Sequence, residues 1–247
     1  MKSHNVTPHF SGFLLLSLIA SSGYGTSHAV AGELPAVPRN GELVLFGDSI
    51  TAYGDRPGGW VRTLRAEFAG ELGRPDIRVI NAGQGGNVVQ DLHRRFFWRT
   101  WREPDVVVLC IGINDARRAA DLGYSDLDLQ EYRSGLDDLV EKLIAVGSTV
   151  VMASPIVFGE QARGRNAFDS VVDAYARAAR EVAEGRSLPF LDLRSLFFER
   201  LSALNLADAS AGVLTYDGLH LNETGNALMA ELVSNKLRSL PMKISEP

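Results

Sequence analysis

Five short apolar runs, separated for the most part by longer stretches with helical spacing, restrict this chain more than any other feature of its sequence. The runs cover residues 42–46, 77–80, 105–111, 148–152 and 189–191. They are apolar at nearly every position rather than at alternate ones, the pattern of parallel strands covered on both faces. Helical patterns occupy residues 60–72, 88–102, 129–146, 168–184, 195–204 and 223–240. The third carries Tyr132, Leu136, Leu139, Leu143 and Ile144 on one stripe, with Gly147 just past its end, and Asn222 is placed to cap the last. This alternation predicts an α/β domain built on a parallel sheet. With right-handed crossovers it becomes a doubly wound, flavodoxin-like, five-stranded three-layer α/β/α sandwich.

The start of the chain reads differently. Lys2 is followed by an apolar run over 13–20, and Ser27-His28-Ala29 and Ala29-Val30-Ala31 fit small-residue cleavage sites. The run is far shorter than the roughly 20 residues that span a bilayer. Residues 1–31 therefore read as a removed signal peptide, 32–40 as a linker and 41–247 as the folded domain. The mature protein is expected to be exported, periplasmic or secreted, without stable membrane insertion. Cys110 is the only cysteine, so no intrachain disulfide can form, and its apolar neighbours predict a buried, inert thiol. A net charge of −5 gives no electrostatic reason to expect nucleic acid as a partner; a small molecule is expected instead.

In an open parallel sheet, ligands bind outside the carboxyl ends of the strands. Three polar turns follow the first three predicted strands: Gly47-Asp48-Ser49-Ile50-Thr51, Asn81-Ala82-Gly83-Gln84-Gly85-Gly86-Asn87 and Gly112-Ile113-Asn114-Asp115. The second is no dinucleotide loop, because the third Gly of G-x-G-x-x-G would fall on Val88, and no Gly-Lys-Ser/Thr of a phosphate loop occurs. A serine nucleophile needs a base. His93 sits among Arg94 and Arg95 and reads as a surface residue, whereas His220 stands in a loop just before the last helix. Asp217, three residues earlier, can accept from Nδ1 and leave Nε2 free to take the Ser49 proton. For the oxyanion, the candidate donors are the Ser49 N–H, a backbone N–H at Gly86 (Gly85 as second choice) and the Asn114 side chain. Asn81 reads as loop support. The segments 116–125 and 155–166 read as pocket walls, whose Arg117, Arg118, Arg163 and Arg165 hint at a polar or anionic substrate portion. The run 93–102 reads as a core-facing aromatic stripe with a basic outer face.

With these residues in view, the sequence resembles the SGNH hydrolase family, the GDSL esterases and lipases, over residues 45–222. Four family blocks stand in family order: Gly47-Asp48-Ser49, Asn81 to Gly86, Gly112-Ile113-Asn114-Asp115 and Asp217-Gly218-Leu219-His220. The resemblance implies Ser49 as nucleophile and oxyanion donor, Gly86 and Asn114 as further oxyanion donors, and Asp217 and His220 as acid and base. It also implies no metal or cofactor. Ile50 replaces the family's frequent Leu, and Asn87-Val88 its frequent Asp-Thr. The implied activity is hydrolysis of carboxylic esters, acetyl or short acyl and possibly on carbohydrate, through an acyl-enzyme. A lysophospholipase or thioesterase of the same family, and a non-catalytic flavodoxin-like binding module, remain open as alternatives.

Overall fold

The computed structural model describes residues 34, 36–96 and 103–241. The expected signal peptide and the 97–102 part of the aromatic, basic run lie outside the described residues. Five strands form one all-parallel sheet: β1 (Glu42–Gly47), β2 (Arg78–Gly83), β3 (Val106–Cys110), β4 (Thr149–Ala153) and β5 (Phe190–Leu191), in the order β2-β1-β3-β4-β5. β1 is an inner strand, with Leu45 opposite Asn81 on one side and Val108 on the other.

The described helices are α1 (Ser49–Tyr53), α2 (Trp60–Ala69), α3 (Val89–Arg94), α4 (Ile113–Leu122), α5 (Asp126–Ala145), α6 (Asp169–Gly185), α7 (Leu193–Leu204) and α8 (Glu223–Arg238). The step from β1 to β2 runs opposite to the steps from β2 through β5, so right-handed crossovers put their helices on opposite faces. Accordingly α2 packs on α8, while α5 packs on both α3 and α6. Strand residues such as Val44, Phe46, Val107, Leu109, Val151 and Met152 are buried between these layers, as their unbroken apolar runs require.

Four local expectations are corrected. Asn81, Ala82 and Gly83 extend β2 instead of forming a turn after it, because their backbones pair with Leu45, Phe46 and Gly47. Most of 116–125 is helix α4 and not a loop. The next helix starts at Asp126, earlier than the apolar stripe indicates, because Ser125 and Asp128 form a reciprocal cap: Ser125 Oγ accepts from the Asp128 N–H, and Asp128 Oδ2 from the Ser125 N–H. The stretch read as a linker is partly packed: Leu34, Ala36 and Val37 are buried, and Arg74 donates to the Val37 and Pro38 carbonyls.

Candidate active site

β1 delivers Ser49 to the carboxyl edge of the sheet. Asp48 caps α1, its Oδ1 accepting from the Ile50 N–H at 2.9 Å, and Ser49 is the first helical residue. The Ser49 N–H therefore has no partner within the helix. Trp60 Nε1 donates to the Ile50 carbonyl at 2.9 Å, and Asn81 Nδ2 to the Thr51 carbonyl at 2.7 Å, which anchors so short a helix from both sides. Gly83 permits the close approach: a Cβ there would lie 2.1 Å from the Ala52 nitrogen. Asn81, read from the sequence as support for its own loop, thus holds the nucleophile helix.

The loop before α8 brings the other two residues to the same place. His220 Nε2 lies 3.1 Å from Ser49 Oγ, and His220 Nδ1 lies 2.6 Å from Asp217 Oδ2. The second carboxylate oxygen of Asp217 accepts from the backbone N–H groups of Leu219 (3.0 Å) and His220 (2.7 Å). Partial burial works against ionisation of Asp217, but the His220 side chain and these two N–H donors hold it below the usual carboxylate range. A serine hydroxyl, an imidazole and an ionised carboxylate are therefore joined in one hydrogen-bonded line, an arrangement able to move a proton off the hydroxyl.

The oxyanion candidates flank Ser49 on the β2 and β3 side. Gln84 to Asn87 makes a tight turn, with the Asn87 N–H donating to the Gln84 carbonyl and Gly86 at φ +76°, a conformation glycine adopts without penalty. Gly85 lies against Ser49, where an added Cβ would stand 3.9 Å from the serine Cβ. Asn114, buried at the start of α4, donates from Nδ2 to the Asn87 carbonyl at 3.0 Å. A side-chain amide carries two hydrogens, so the second is left for another acceptor.

Beside His220 opens a cavity of about 380 Å³, walled in part by Tyr53, Arg56, Pro57, Tyr216 and Asn222. The Tyr216 ring stacks on the imidazole at 5.7 Å and the Tyr53 ring lies 5.0 Å away. Arg56 sits 3.5 Å over the Tyr53 ring. Beneath the site, burial pushes both Asp48 and Asp115 up to about 7, opposed by hydrogen bonds from the Ile50 and Val89 N–H groups; Asp115 raises Asp48 further. Asp115 Oδ2 is buried without a hydrogen-bond partner among the described residues. Burial likewise raises the Cys110 thiol well above its usual value, which fits an inert thiol. No cluster of three or more metal-ligating side chains occurs among the described residues.

Several sequence expectations meet different surroundings. Arg163 and Arg165 pair with Asp173 and Asp208 and line a separate cavity, so they do not wall the space beside His220. Arg118 does reach the site's rim, 3.4 Å from the Gly86 carbonyl. His93 is half-buried, bonded to the Gly135 carbonyl and facing Lys142. Arg95, expected on a basic outer face, turns inward and donates to Asn87 Oδ1 and to the Ala82 and Gly47 carbonyls at 2.6–2.7 Å. Glu160, buried behind the His220 loop, had no sequence signal at all. For Arg95 the one available cue was a cation close to the two Gly-rich turns, and amphipathic patterning outweighed it.

Residues 45–228 match the model of the GDSL-like Lipase/Acylhydrolase family. The chain belongs to that family. As a GDSL-type protein it is a carboxylic ester hydrolase, and the non-catalytic binding module is set aside. An acetylxylan esterase of Geobacillus stearothermophilus is 31% identical over 215 residues, spanning 77% of this chain and 91% of the relative. The human isoamyl acetate-hydrolyzing esterase 1 homolog is 29% identical over 223 residues, with 81% and 84% covered. Among solved structures, the acetyl xylan esterase AlAXEase superimposes with a TM-score of 0.75 at 29% identity, covering 78% of this chain and 98% of its own.

Proposed function

We propose that this GDSL hydrolase cleaves acetyl and other short acyl esters of small alcohols, carbohydrate esters among them, through an acyl-enzyme formed on Ser49. His220 Nε2 takes the proton from Ser49 Oγ as the oxygen attacks the ester carbonyl. Asp217 orients the imidazole and stabilises its charged form. The developing oxyanion is received by the Ser49 and Gly86 N–H groups and the second hydrogen of Asn114 Nδ2, each donor contributing about 3 kcal/mol to lowering the barrier. The imidazolium then protonates the departing alcohol, and water repeats the sequence on the acyl-enzyme. The 3.1 Å approach of His220 to Ser49, with Asp217 directly behind, carries this reading. The names of the acetylxylan and isoamyl acetate esterases support a small acyl group.

The test is hydrolysis of p-nitrophenyl esters of increasing chain length and of acetylated sugars, together with labelling by an activated phosphonate. Ser49→Ala and His220→Ala are expected to lose nearly all turnover, the label to sit on Ser49, and rates to fall as the acyl chain lengthens. Wild-type activity in Ser49→Ala ends the proposal. We also read the protein as exported, on the strength of the leader-like composition of residues 1–31. Among the described residues no helix is long and apolar enough to cross a membrane. N-terminal sequencing of the mature protein is expected to begin near residue 32; an intact Met1 in the exported fraction refutes cleavage.

A further inference from the structure

Glu160 lies in the segment that follows β4, 1% exposed, and its carboxylate is spent entirely on the loop that carries Asp217 and His220. Oε2 accepts from the Val213 N–H at 2.7 Å. Oε1 accepts from the N–H groups of Leu214 (2.6 Å) and Thr215 (2.5 Å) and from the Thr215 hydroxyl (2.8 Å). Thr215, itself fully buried, passes the connection on: its Oγ1 accepts from the Gly218 N–H at 3.0 Å. Gly218 is held from its other side by the Gly159 N–H, which donates to its carbonyl at 2.6 Å. Residues 159 and 160 thus brace both ends of the turn on which Asp217 and His220 stand.

A buried carboxylate is costly unless its oxygens are filled by donors, and here four donors fill them. None of those donors lies in a helix or strand of the sheet, so this one side chain ties down the 213–215 stretch of the loop between α7 and α8. From this geometry we infer that Glu160 is the positioning residue of the acid–base loop: through Thr215 and Gly218 it fixes the spacing that sets His220 against Ser49 and Asp217. Glu160 touches none of the three and acts only through the loop, so its loss slows turnover chiefly through the placement of His220. A misplacement of about 1 Å at a catalytic group costs up to a hundredfold in rate.

The inference rests on the proposed triad, and its test reads the loop separately from the chemistry. Glu160→Gln and Thr215→Val are compared with wild type for kcat, for KM on p-nitrophenyl acetate, and for the downfield proton resonance of His220 Nδ1–H, which the short bond to Asp217 produces. Folding is monitored by circular dichroism. Expected for Glu160→Gln are a fall in kcat of about tenfold or more, a KM within about threefold of wild type, and loss or upfield movement of the resonance. Thr215→Val moves in the same direction, and Thr215→Ser, which keeps the hydroxyl, restores both readouts. Where Glu160→Gln fails to fold, the Thr215 pair decides. Folded variants with an unchanged resonance, whatever their rate, overturn the inference, as does a loss confined to KM. A wild-type protein that hydrolyses no ester defeats the proposed function instead, while the resonance still reports on Glu160.

Discussion

Asp48, which precedes the nucleophile, and Asp115, on α4, both resist ionisation, at about 7 against 3.8 for a free carboxyl, chiefly because they are buried. Between those two values the unfolded chain releases protons that the folded chain keeps, so stability falls as pH rises from about 4 to about 7. Asp76, Asp137, Asp173, Asp208 and Asp217 are shifted the other way. Their contribution is present above the unfolded value and is lost only as pH falls below it, outside that window. The protein is therefore expected to be more stable at about pH 5 than at about pH 8, by on the order of a few kcal/mol in urea unfolding. Asp48→Asn, which keeps a capping oxygen for Ile50, is expected to shrink the difference; an unchanged slope counts against the buried-acid explanation. The residues brought together here were legible in the sequence because each sits in a short motif: Ser49 after Gly47-Asp48, Asn114 after Gly112-Ile113, and His220 three residues past Asp217. Glu160 and Arg95 were not, because each meets partners that only the fold brings near, such as Gly47, 48 residues from Arg95, and Val213, 53 residues from Glu160.

At the scale of elements, the five runs of apolar residues announced the five strands, and right-handed crossovers between them announced helices on both faces. The short α1 and the polar α4 escaped notice for a common reason. Their buried faces consist of Ser49, Ile50 and Thr51, and of Ile113, Asn114, Ala116 and Ala119, which make no apolar stripe. The end of β2 was misplaced because Asn81 and Gly83 look like turn residues, yet they serve as strand positions that seat α1. That seat can be probed directly. Gly83→Ala drives a methyl group into the α1 backbone at Ala52, and α1 must move, taking Ser49 with it. Expected are a stability loss of about 1–3 kcal/mol in urea unfolding and a marked fall in kcat. A variant with wild-type kinetics shows that α1 tolerates displacement.

Across the whole molecule, polar ties join the layers where apolar packing alone cannot fix register. Arg194, wholly buried at the start of α7, meets Asp169 and Asp173 of α6 and donates to the Ile156 carbonyl beyond β4. Arg194→Ala leaves the deeply buried Asp169 without its cation, while Asp173 keeps Arg163, and is expected to destabilise the protein by about 3–5 kcal/mol in denaturant unfolding. A loss below about 1 kcal/mol indicates that water replaces the guanidinium. Ser49 and His220 stand 171 residues apart in the chain, one just after β1 and the other just before α8. A ribosome making this protein therefore polymerises the serine and every strand of the sheet before it reaches the histidine. Until α8 docks against α2, the hydroxyl has no imidazole held beside it, and chemical competence waits on the seating of the segment that carries His220.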